Sequence, residues 1–263
     1  MPTFVSMKTI FSFLFILYAS YGLAQIRVLV IGTSEDAGLV PAPEVYAADS
    51  AWTKKMERMM DGAFSVTNAA RTNTSYINRG VLPIWVYWNS VLLKTAKPKL
   101  VIIGGPTNDA RVNYAPYDHE FDRYYDSLIV SVKERYNGPK VVLCTAIKSL
   151  HNQFPQRRVD SVNAKVMRAA ERWRLEIIRM DTLPTSILGP DKLHCNHAGY
   201  TQMALVAKKH FSGIQTTLPV VIHPPKSEPA PSVISTMPTP IPGVLLKIEG
   251  EKRSLILKYD KSY

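Results

Sequence analysis

Two kinds of hydrophobic pattern alternate along the chain. Short continuous apolar runs indicate strands buried on both faces, whereas apolar residues three or four positions apart indicate amphipathic helices. The predicted strands are 26–32, 64–69, 98–105, 140–147 and 175–181. The predicted helices are 49–60, 76–96 with a break at Pro83, 120–136, 159–174 and 197–211. This alternation predicts an α/β fold, in which a five-stranded parallel sheet is covered by helices on both faces.

Two of the helical segments show which faces are expected to be buried. The apolar stripe of the first consists of Trp52, Met56, Met59 and Met60. Its N-terminus is expected to be capped by Asp49 or Ser50, whose side chains can accept a backbone N–H hydrogen bond. In the second helical segment, the run WVYW at 85–88 is expected to form a buried helix face rather than an aromatic platform for a sugar.

The first 24 residues have the composition of a secretory signal. Lys8 precedes the apolar run TIFSFLFILYASYG, and the small residues GLA stand just before Gln25. This pattern predicts cleavage after Ala24, and the run is too short and wrongly flanked for a membrane span. A start at Met7 fits the charged first part of a signal better than a start at Met1. We therefore expect a secreted or periplasmic protein with no stable membrane insertion after cleavage.

The composition changes again after the last predicted helix. Eight prolines fall between positions 219 and 242, which predicts an extended linker with polyproline-like backbone. Two short apolar runs around a polar turn then predict a small β-hairpin-like tail. The chain is thus divided into a signal at 1–24, a domain at 25–212, a proline-rich linker at 213–243 and a tail at 244–263.

The formal net charge of +11 raises the question of a nucleic-acid partner. The basic residues are spread along the chain, and no dense basic run alternates with aromatic residues as a single-strand binder would require. No nucleic-acid partner is therefore predicted. The charge indicates a solvated surface that favours anionic polymers. No pattern in the sequence indicates an oligomeric state.

The two cysteines, Cys144 and Cys195, form no metal-binding motif. An exported protein can pair two cysteines in a disulfide. Cys144, however, lies inside the apolar run KVVLCTAI, where a small buried thiol is the usual explanation. The sequence predicts neither a cofactor nor a metal ion.

Three polar segments follow predicted strands, where loops at the carboxyl ends of a parallel sheet build sites. Ser34 follows the first strand in VIGTSEDAG, Asn108 follows the third in GGPTNDAR, and Asp191 stands three residues before His194 in DKLH. A serine beside backbone amides can act as a nucleophile, an acid can orient a histidine base, and an amide can donate to an oxyanion. Alone, Ser34 is more typical of a turn, and Asn108 fits an Asx-turn or helix cap as well as a functional role. Their joint placement with Asp191 and His194 at one edge points to acyl chemistry.

The segments IGTSEDAG, NAARTNTS, GGPTND and DKLHCNHAGY resemble, in order and spacing, the motif blocks of the SGNH (GDSL-type) hydrolase family. The resemblance covers about residues 26–211. It implies a flavodoxin-like three-layer α/β/α sandwich and ester or thioester hydrolysis without a cofactor. Carried over by position, it implies Ser34 as nucleophile, His194 as base and Asp191 as the residue that orients His194. It also implies an oxyanion hole made by Ser34, Asn108 and a backbone amide of the second block.

The chain departs from the family pattern in each of the first three blocks. Thr33 stands where the family usually has Asp, and Pro106 replaces a glycine before Asn108. In the second block Asn73 stands at the family's usual glycine, whose backbone amide completes the oxyanion hole. Asparagine is the best substitute for glycine at a positive φ, and its amide can still donate.

The resemblance implies an exported serine esterase acting on an acylated glycan or a small acyl ester. The glycan is suggested by the expected export and by the substrates usual in the family. No residue of the sequence indicates it. Two alternatives stay open. An acyltransferase with the same fold would use the same residues with a second acceptor, and a catalytically weakened binding module would keep only the fold. Neither the acyl chain nor the alcohol of the substrate can be predicted from the residues.

Overall fold

The computed structural model describes residues 25–41, 48–80 and 82–212. The predicted signal peptide, linker and tail lie outside these residues. The strands are β1 (Ile26–Ile31), β2 (Phe64–Asn68), β3 (Thr74–Ser75), β4 (Leu82–Pro83), β5 (Leu100–Ile103), β6 (Lys140–Cys144) and β7 (Glu176–Ile178). The α-helices are α1 (Ser34–Ala37), α2 (Trp52–Met59), α3 (Ile84–Lys94), α4 (Phe121–Arg135), α5 (Gln156–Trp173) and α6 (His197–Phe211). Short 3₁₀ segments lie at Ala48–Ser50, Thr107–Ala110, Val112–Glu120, Met180–Thr182 and Thr185–Ile187.

Five of the strands form one sheet in the order β2-β1-β5-β6-β7, and every neighbouring pair is parallel. The short strands β3 and β4 pair separately. The chain moves from β1 outward to β2 and then returns to β5 on the other side of β1. In open parallel sheets, this reversal opens a crevice at the carboxyl ends of the two central strands. The loops after β1 and β5 therefore meet where a site is expected.

The sheet separates two hydrophobic clusters, as a three-layer sandwich requires. Successive side chains of a strand point to opposite faces, so Leu29 and Ile31 enter one cluster while Val28 and Val30 enter the other. The first cluster is closed by buried residues of α3, α4 and α5, and the second by buried residues of α2 and α6. The five-stranded parallel sheet and the three layers are thus confirmed.

One predicted helix is wrong in its first part. Residues 76–80 do not form a helix, and α3 begins only at Ile84, directly after Pro83. The backbone N–H groups of Tyr76 and Ile77 instead donate to the carboxylate of Asp109, a residue far away in sequence. A helical pattern in a short segment does not reveal such a distant acceptor. The expected buried face at 85–88 is confirmed for Tyr87 and Trp88, whereas Val86 is exposed.

The expected cap of the second helix is also wrong. Helix α2 begins after Ala51, and neither Asp49 nor Ser50 caps it, because both lie in the preceding 3₁₀ turn. Ala51 is fully buried, and a Cβ on Gly38 would stand only 2.8 Å from it. A small residue at this helix end allows the two backbones to approach closely. The apolar stripe of α2 packs into the core as predicted.

Candidate active site

Ser34 lies in a tight turn directly after β1. It is the first residue of α1, a single helical turn that ends at Gly38 in the left-handed region, with φ of +84°. Thr33 closes the start of this turn with a reciprocal capping box, in which its backbone N–H donates to the Asp36 carboxylate over 2.9 Å. The turn fixes Ser34 at the carboxyl end of the sheet, where the side chain is largely buried but still borders the neighbouring loops.

Ser34, His194 and Asp191 form a continuous hydrogen-bonded chain. The Oγ atom of Ser34 lies 2.9 Å from Nε2 of His194, and Nδ1 of His194 lies 2.6 Å from Oδ2 of Asp191. The serine is separated from the other two residues by most of the domain, so tertiary folding alone brings them together. A neutral imidazole with its proton on Nδ1 donates to the acid and accepts from the serine hydroxyl.

The segment 189–196, which we call the histidine loop, is held mainly by bonds among its own residues. Oδ1 of Asp191 accepts the backbone N–H groups of Leu193 and His194, each over 3.0 Å. The Gly189 N–H donates to the His194 carbonyl over 2.7 Å, and Lys192 adopts a φ of +62° to turn the chain. One carboxylate oxygen thus shapes the loop while the other holds the imidazole.

The electrostatics of the Asp191 carboxyl favour its ionised form. Partial burial by itself would raise its pKa, but the hydrogen bond from His194 and the two backbone N–H donors outweigh burial. The net result is a pKa of Asp191 below its ordinary value. At neutral pH the group is therefore an anion that accepts from His194 and stabilises positive charge on the ring.

A second loop, residues 69–80, follows β2 and carries Asn73; we call it the asparagine loop. Asn73 has a φ of +59°, the left-handed conformation that favours glycine and is tolerated by asparagine. The Arg71 N–H donates to the Gly32 carbonyl over 3.1 Å, and the side-chain amide of Asn108 donates to the Thr74 carbonyl over 2.9 Å. These two bonds join the asparagine loop to the ends of β1 and β5.

The structure therefore brings the loops of all the predicted site residues to the same edge. Thr33 Oγ1 lies 3.2 Å from the Gly105 carbonyl, which joins the serine turn to the loop of Asn108. The side chains of Ser34, His194 and Asp191 are joined by hydrogen bonds, one to the next. One N–H of the Asn108 side chain donates instead to the Thr74 carbonyl. An amide nitrogen carries two N–H donors, so Asn108 retains capacity for a second acceptor.

Two buried acids that sequence reasoning missed support this edge. Burial raises the pKa of Asp36 to about 7, although hydrogen bonds from the Thr33 N–H and the Trp52 indole act to lower this pKa. A Cβ at either Gly32 or Gly104 would overlap its carboxylate, so those glycines are needed to seat the acid between β1 and β5. The capping-box spacing of Thr33 and Asp36 was the available signal in the sequence.

Asp109 is the second missed acid, and it shapes the asparagine loop. Its carboxylate accepts the Tyr76 N–H over 3.0 Å and the Ile77 N–H over 2.9 Å. Burial raises its pKa to about 7, although the hydrogen bonds from Ile77 and Tyr76 act in the opposite direction. No local pattern identifies this role, because the acid and its donors lie far apart along the chain.

Glu35 places another carboxylate beside the serine. Its Oε2 lies 2.6 Å from Thr33 Oγ1 and 3.2 Å from Ser34 Oγ, while its buried Oε1 has no hydrogen-bond partner among the described residues. The Ser34 hydroxyl has one proton and can donate it either to Glu35 or to His194. The histidine is the nearer acceptor, at 2.9 Å.

Two tyrosines border the asparagine loop. The Tyr114 hydroxyl packs where a side chain on Gly80 would stand, and the Tyr117 ring lies 4.6 Å from the Arg79 guanidinium. Helix α6 is capped by Asn196, whose Oδ1 accepts the Gly199 N–H over 2.7 Å. Both tyrosines therefore pack against the asparagine loop.

Among the described residues, the cysteines form no disulfide and the acids form no metal-binding group. Cys144 and Cys195 are both free and buried, and burial raises the pKa of each thiol. Within residues 25–41, 48–80 and 82–212, no group of three histidine, cysteine or acidic side chains is arranged to hold a metal ion. No helix in the same ranges is long and apolar enough to cross a membrane.

The backbone is similar to solved structures of esterases. Est24, a carbohydrate acetylesterase from Sinorhizobium meliloti, is 16% identical and has a TM-score of 0.64 over 73% of this chain and 100% of its own. An aryl esterase from M. smegmatis is 19% identical, with a TM-score of 0.63 over 73% and 100% of the two chains. A lipase/acylhydrolase from Enterococcus faecalis is 18% identical, with a TM-score of 0.58 over 73% and 99%. These likenesses show that the described domain has the SGNH hydrolase fold.

Comparisons at the level of sequence give no such match. No protein-family model matches the chain, and no curated protein matches it. At these identities the solved structures define the fold, and the chemistry has to be argued from the site.

Proposed function

We propose that the protein is a serine hydrolase that cleaves carboxylic esters, with Ser34 as nucleophile, His194 as base and Asp191 as the group that orients His194. The observation that carries the proposal is the unbroken chain of hydrogen bonds from Asp191 through His194 to Ser34. The fold supports it, because the solved structures that share the fold include a carbohydrate acetylesterase and an aryl esterase.

In the proposed mechanism, the Oγ atom of Ser34 attacks the ester carbonyl carbon while Nε2 of His194 takes the hydroxyl proton. The carbonyl π electrons move to the oxygen and form a tetrahedral oxyanion. When the intermediate collapses, the bond to the alcohol breaks and His194 returns the proton to the leaving oxygen. Water then attacks the acyl-serine by the same route, which releases the acid and restores Ser34.

Asp191 acts in both halves of this cycle without taking a proton. It fixes the tautomer in which Nε2 is free to accept from Ser34, and its charge stabilises the imidazolium that forms next. The lowered pKa of Asp191 keeps it ionised at the pH at which a histidine base works. The two backbone N–H bonds to the same carboxylate prevent it from rotating away.

The oxyanion is proposed to be stabilised by three donors: the Ser34 N–H, the Asn73 N–H and the Asn108 side-chain amide. The positive φ of Asn73 supports its role, because this conformation is the one that a glycine at this position would supply. Loss of one such donor typically costs on the order of 3 kcal/mol of transition-state stabilisation. Preorganised donors of this kind supply a large part of the rate enhancement in acyl transfer.

The site favours an enzyme over a binding module that only keeps the fold. A binding module has no need for a serine, a histidine and an acid in hydrogen-bonding sequence, nor for a left-handed asparagine in the adjoining loop. We further propose that the protein is exported by residues 1–24 and that an acetylated glycan is one class of substrate. N-terminal sequencing of the mature protein, with cleavage expected after Ala24, tests the export proposal.

Substitution of the nucleophile tests the proposal most simply. Ser34→Ala should abolish hydrolysis of a small ester such as 4-nitrophenyl acetate, with a fall in kcat of about 10⁴-fold or more. Folding should be preserved, because the hydroxyl contributes little to the core. A Ser127→Ala variant is a matched control, since Ser127 is an exposed serine of α4. Ester hydrolysis that persists in purified, folded Ser34→Ala would refute the assignment.

A further inference from the structure

A groove of about 430 Å³ is lined by residues of the segments that follow β1 and β2. The described residues of its lining are Ala37, Leu39, Ala70, Arg71, Thr72 and Leu82. Ala37 belongs to α1, the turn that begins with Ser34. Thr72 directly precedes Asn73, the proposed oxyanion donor. The groove is thus built by the same two loops that carry Ser34 and Asn73, and its volume lies in the usual range for a small-molecule site.

The lining is apolar apart from one hydroxyl and one cation. The side chains of the alanines and leucines offer no hydrogen bond, so Thr72 and Arg71 supply the polar side chains of the lining. Arg71 is the one charged residue among the described residues that line the groove. It is therefore the residue that could select a charged group of the substrate.

Arg71 is held in place, and no acid among the described residues neutralises it. Its guanidinium lies 4.6 Å from the centre of the buried Tyr87 ring, and its backbone N–H is bonded to Gly32. Stacking on an aromatic face orients an arginine and leaves the in-plane N–H donors available. Other arginines of the domain, such as Arg158, Arg172 and Arg179, form ion pairs with aspartates. No such pair with Arg71 occurs among the described residues.

From these observations we propose that the groove binds a carboxylate carried by the ester substrate, with Arg71 as its receptor. An arginine fork matches a carboxylate geometrically, and a charge-assisted pair in a partly apolar groove is stronger than one in open water. The net charge of +11 attracts the same class of substrate to the surface. This inference rests on the proposed ester hydrolysis and narrows its substrate to anionic esters. The carboxylate belongs either to the acyl group or to the alcohol.

Two matched pairs of esters separate these sources. For an anionic acyl group, monoethyl succinate is compared with ethyl levulinate, in which a methyl ketone replaces the carboxylate. For an anionic alcohol, 4-acetoxybenzoate is compared with 4-acetoxyacetophenone, which again replaces the carboxylate by a neutral group of similar size. Initial rates by pH-stat titration give kcat and KM separately. We expect kcat/KM to favour the anionic member of at least one pair by about tenfold or more, mostly through KM.

Three variants assign the preference to Arg71. Arg71→Gln should lower the anionic-to-neutral ratio of kcat/KM by about tenfold, and Arg71→Lys should restore part of it. Arg172→Gln removes the same charge from the end of α5, where Arg172 pairs with Asp126, and should leave the ratio unchanged. The preference of the wild type should shrink as salt is added. Equal rates for both members of both pairs, or a preference that survives Arg71→Gln, would overturn the proposal.

A binding measurement separates this proposal from the hydrolase proposal. Monoethyl succinate and 4-acetoxybenzoate are titrated by calorimetry into the Ser34→Ala protein, and at least one should bind more weakly when Arg71→Gln is added. Binding that depends on Arg71, without turnover of any ester by the wild type, would retain the anion site and refute hydrolysis. Turnover of the neutral esters without Arg71-dependent binding would refute the anion site and retain hydrolysis.

Discussion

The histidine loop and the asparagine loop meet at one edge of the sheet, but they are built in opposite ways. The histidine loop is held by its own residues, chiefly by Asp191, which accepts N–H groups two and three positions later. The asparagine loop is held by distant residues, chiefly by Asp109, which accepts from Tyr76 and Ile77. A loop with local bonds has a recognisable spacing in the sequence, and a loop with distant bonds does not.

The two loops also carry different parts of the proposed chemistry. The histidine loop moves the proton, whereas the asparagine loop supplies an amide to the oxyanion. Substitutions in the two loops should therefore reduce turnover to different extents and for different reasons.

The largest effect is expected in the histidine loop. Asp191→Asn keeps the side-chain shape, but an amide permits the wrong tautomer of His194 and no longer stabilises the imidazolium. We expect kcat to fall by about 10² to 10⁴-fold, with KM changed far less. The measurement is steady-state kinetics with a small ester, and circular dichroism verifies folding. If Asp191 were only a turn residue, asparagine would serve as well and kcat would not change.

A smaller effect is expected when the asparagine loop loses its distant acceptor. Asp109→Ala removes both carboxylate oxygens, so the backbone N–H groups of Tyr76 and Ile77 lose their acceptor. The loop should loosen and displace the Asn73 amide, and we expect kcat to fall by about 10- to 100-fold. Asp126→Ala, at an ion pair of α4, is the control. Full activity in folded Asp109→Ala would show that the loop does not depend on this anchor.

The stability of the domain should depend on pH through the two buried acids. The folded-state pKa of both Asp36 and Asp109 is about 7, whereas an unfolded aspartate has a pKa of about 3.9. Their stabilising contribution is complete below the unfolded pKa and is lost as pH rises through the folded pKa. The free energy of unfolding should therefore fall between about pH 4 and 7, by on the order of 4 kcal/mol for each group. Urea unfolding at several pH values measures it.

Urea unfolding of Asp109→Asn at the same pH values removes the contribution of Asp109 and leaves that of Asp36. The decrease in the free energy of unfolding between the two pH limits should be smaller in this variant than in the wild type. A decrease of equal size in both proteins would contradict the assignment of the raised pKa to Asp109.

The smallest effect is expected from the conformation of Asn73. With φ at +59°, alanine at this position is strained by about 1 kcal/mol, whereas glycine is not. Asn73→Gly should keep kcat within about twofold, and Asn73→Ala should lower it by about fivefold. Both variants remove the asparagine amide, so the difference in kcat between them reports the effect of the backbone conformation at position 73. Equal loss in both would indicate that the asparagine side chain itself is required.

Most of the fold could be predicted because its signals are local. Runs such as IRVLVI and LVII are apolar on both faces, and the structure places them as the central strands β1 and β5. Helix α6 begins and ends as predicted, because Asn196 and the apolar spacing after it mark it clearly. The segment 76–80 was mistaken for helix because its spacing is helical while its hydrogen-bond acceptor, Asp109, is remote.

The site, like the fold, has features that local sequence signals reveal and features that depend on distant residues. The spacing of Asp191 and His194 is visible in the sequence, and Asn73 has the positive φ at which asparagine is the best substitute for glycine. The buried carboxyls of Asp36 and Asp109 were missed, because their importance comes from burial and from donors that only the folded chain brings near. Likewise, the groove beside Arg71 is formed by segments that are separate in the sequence.

Covalent labelling shows directly whether Ser34 is an activated nucleophile. A fluorophosphonate probe is incubated with the folded protein, and the modified residue is located by peptide mass mapping. We expect stoichiometric labelling at Ser34, much slower labelling of Asp191→Asn, and no labelling of Ser34→Ala. Absence of labelling in the folded wild-type protein, or labelling at a residue other than Ser34, would contradict the claim that Ser34 is a nucleophile activated by His194 and Asp191.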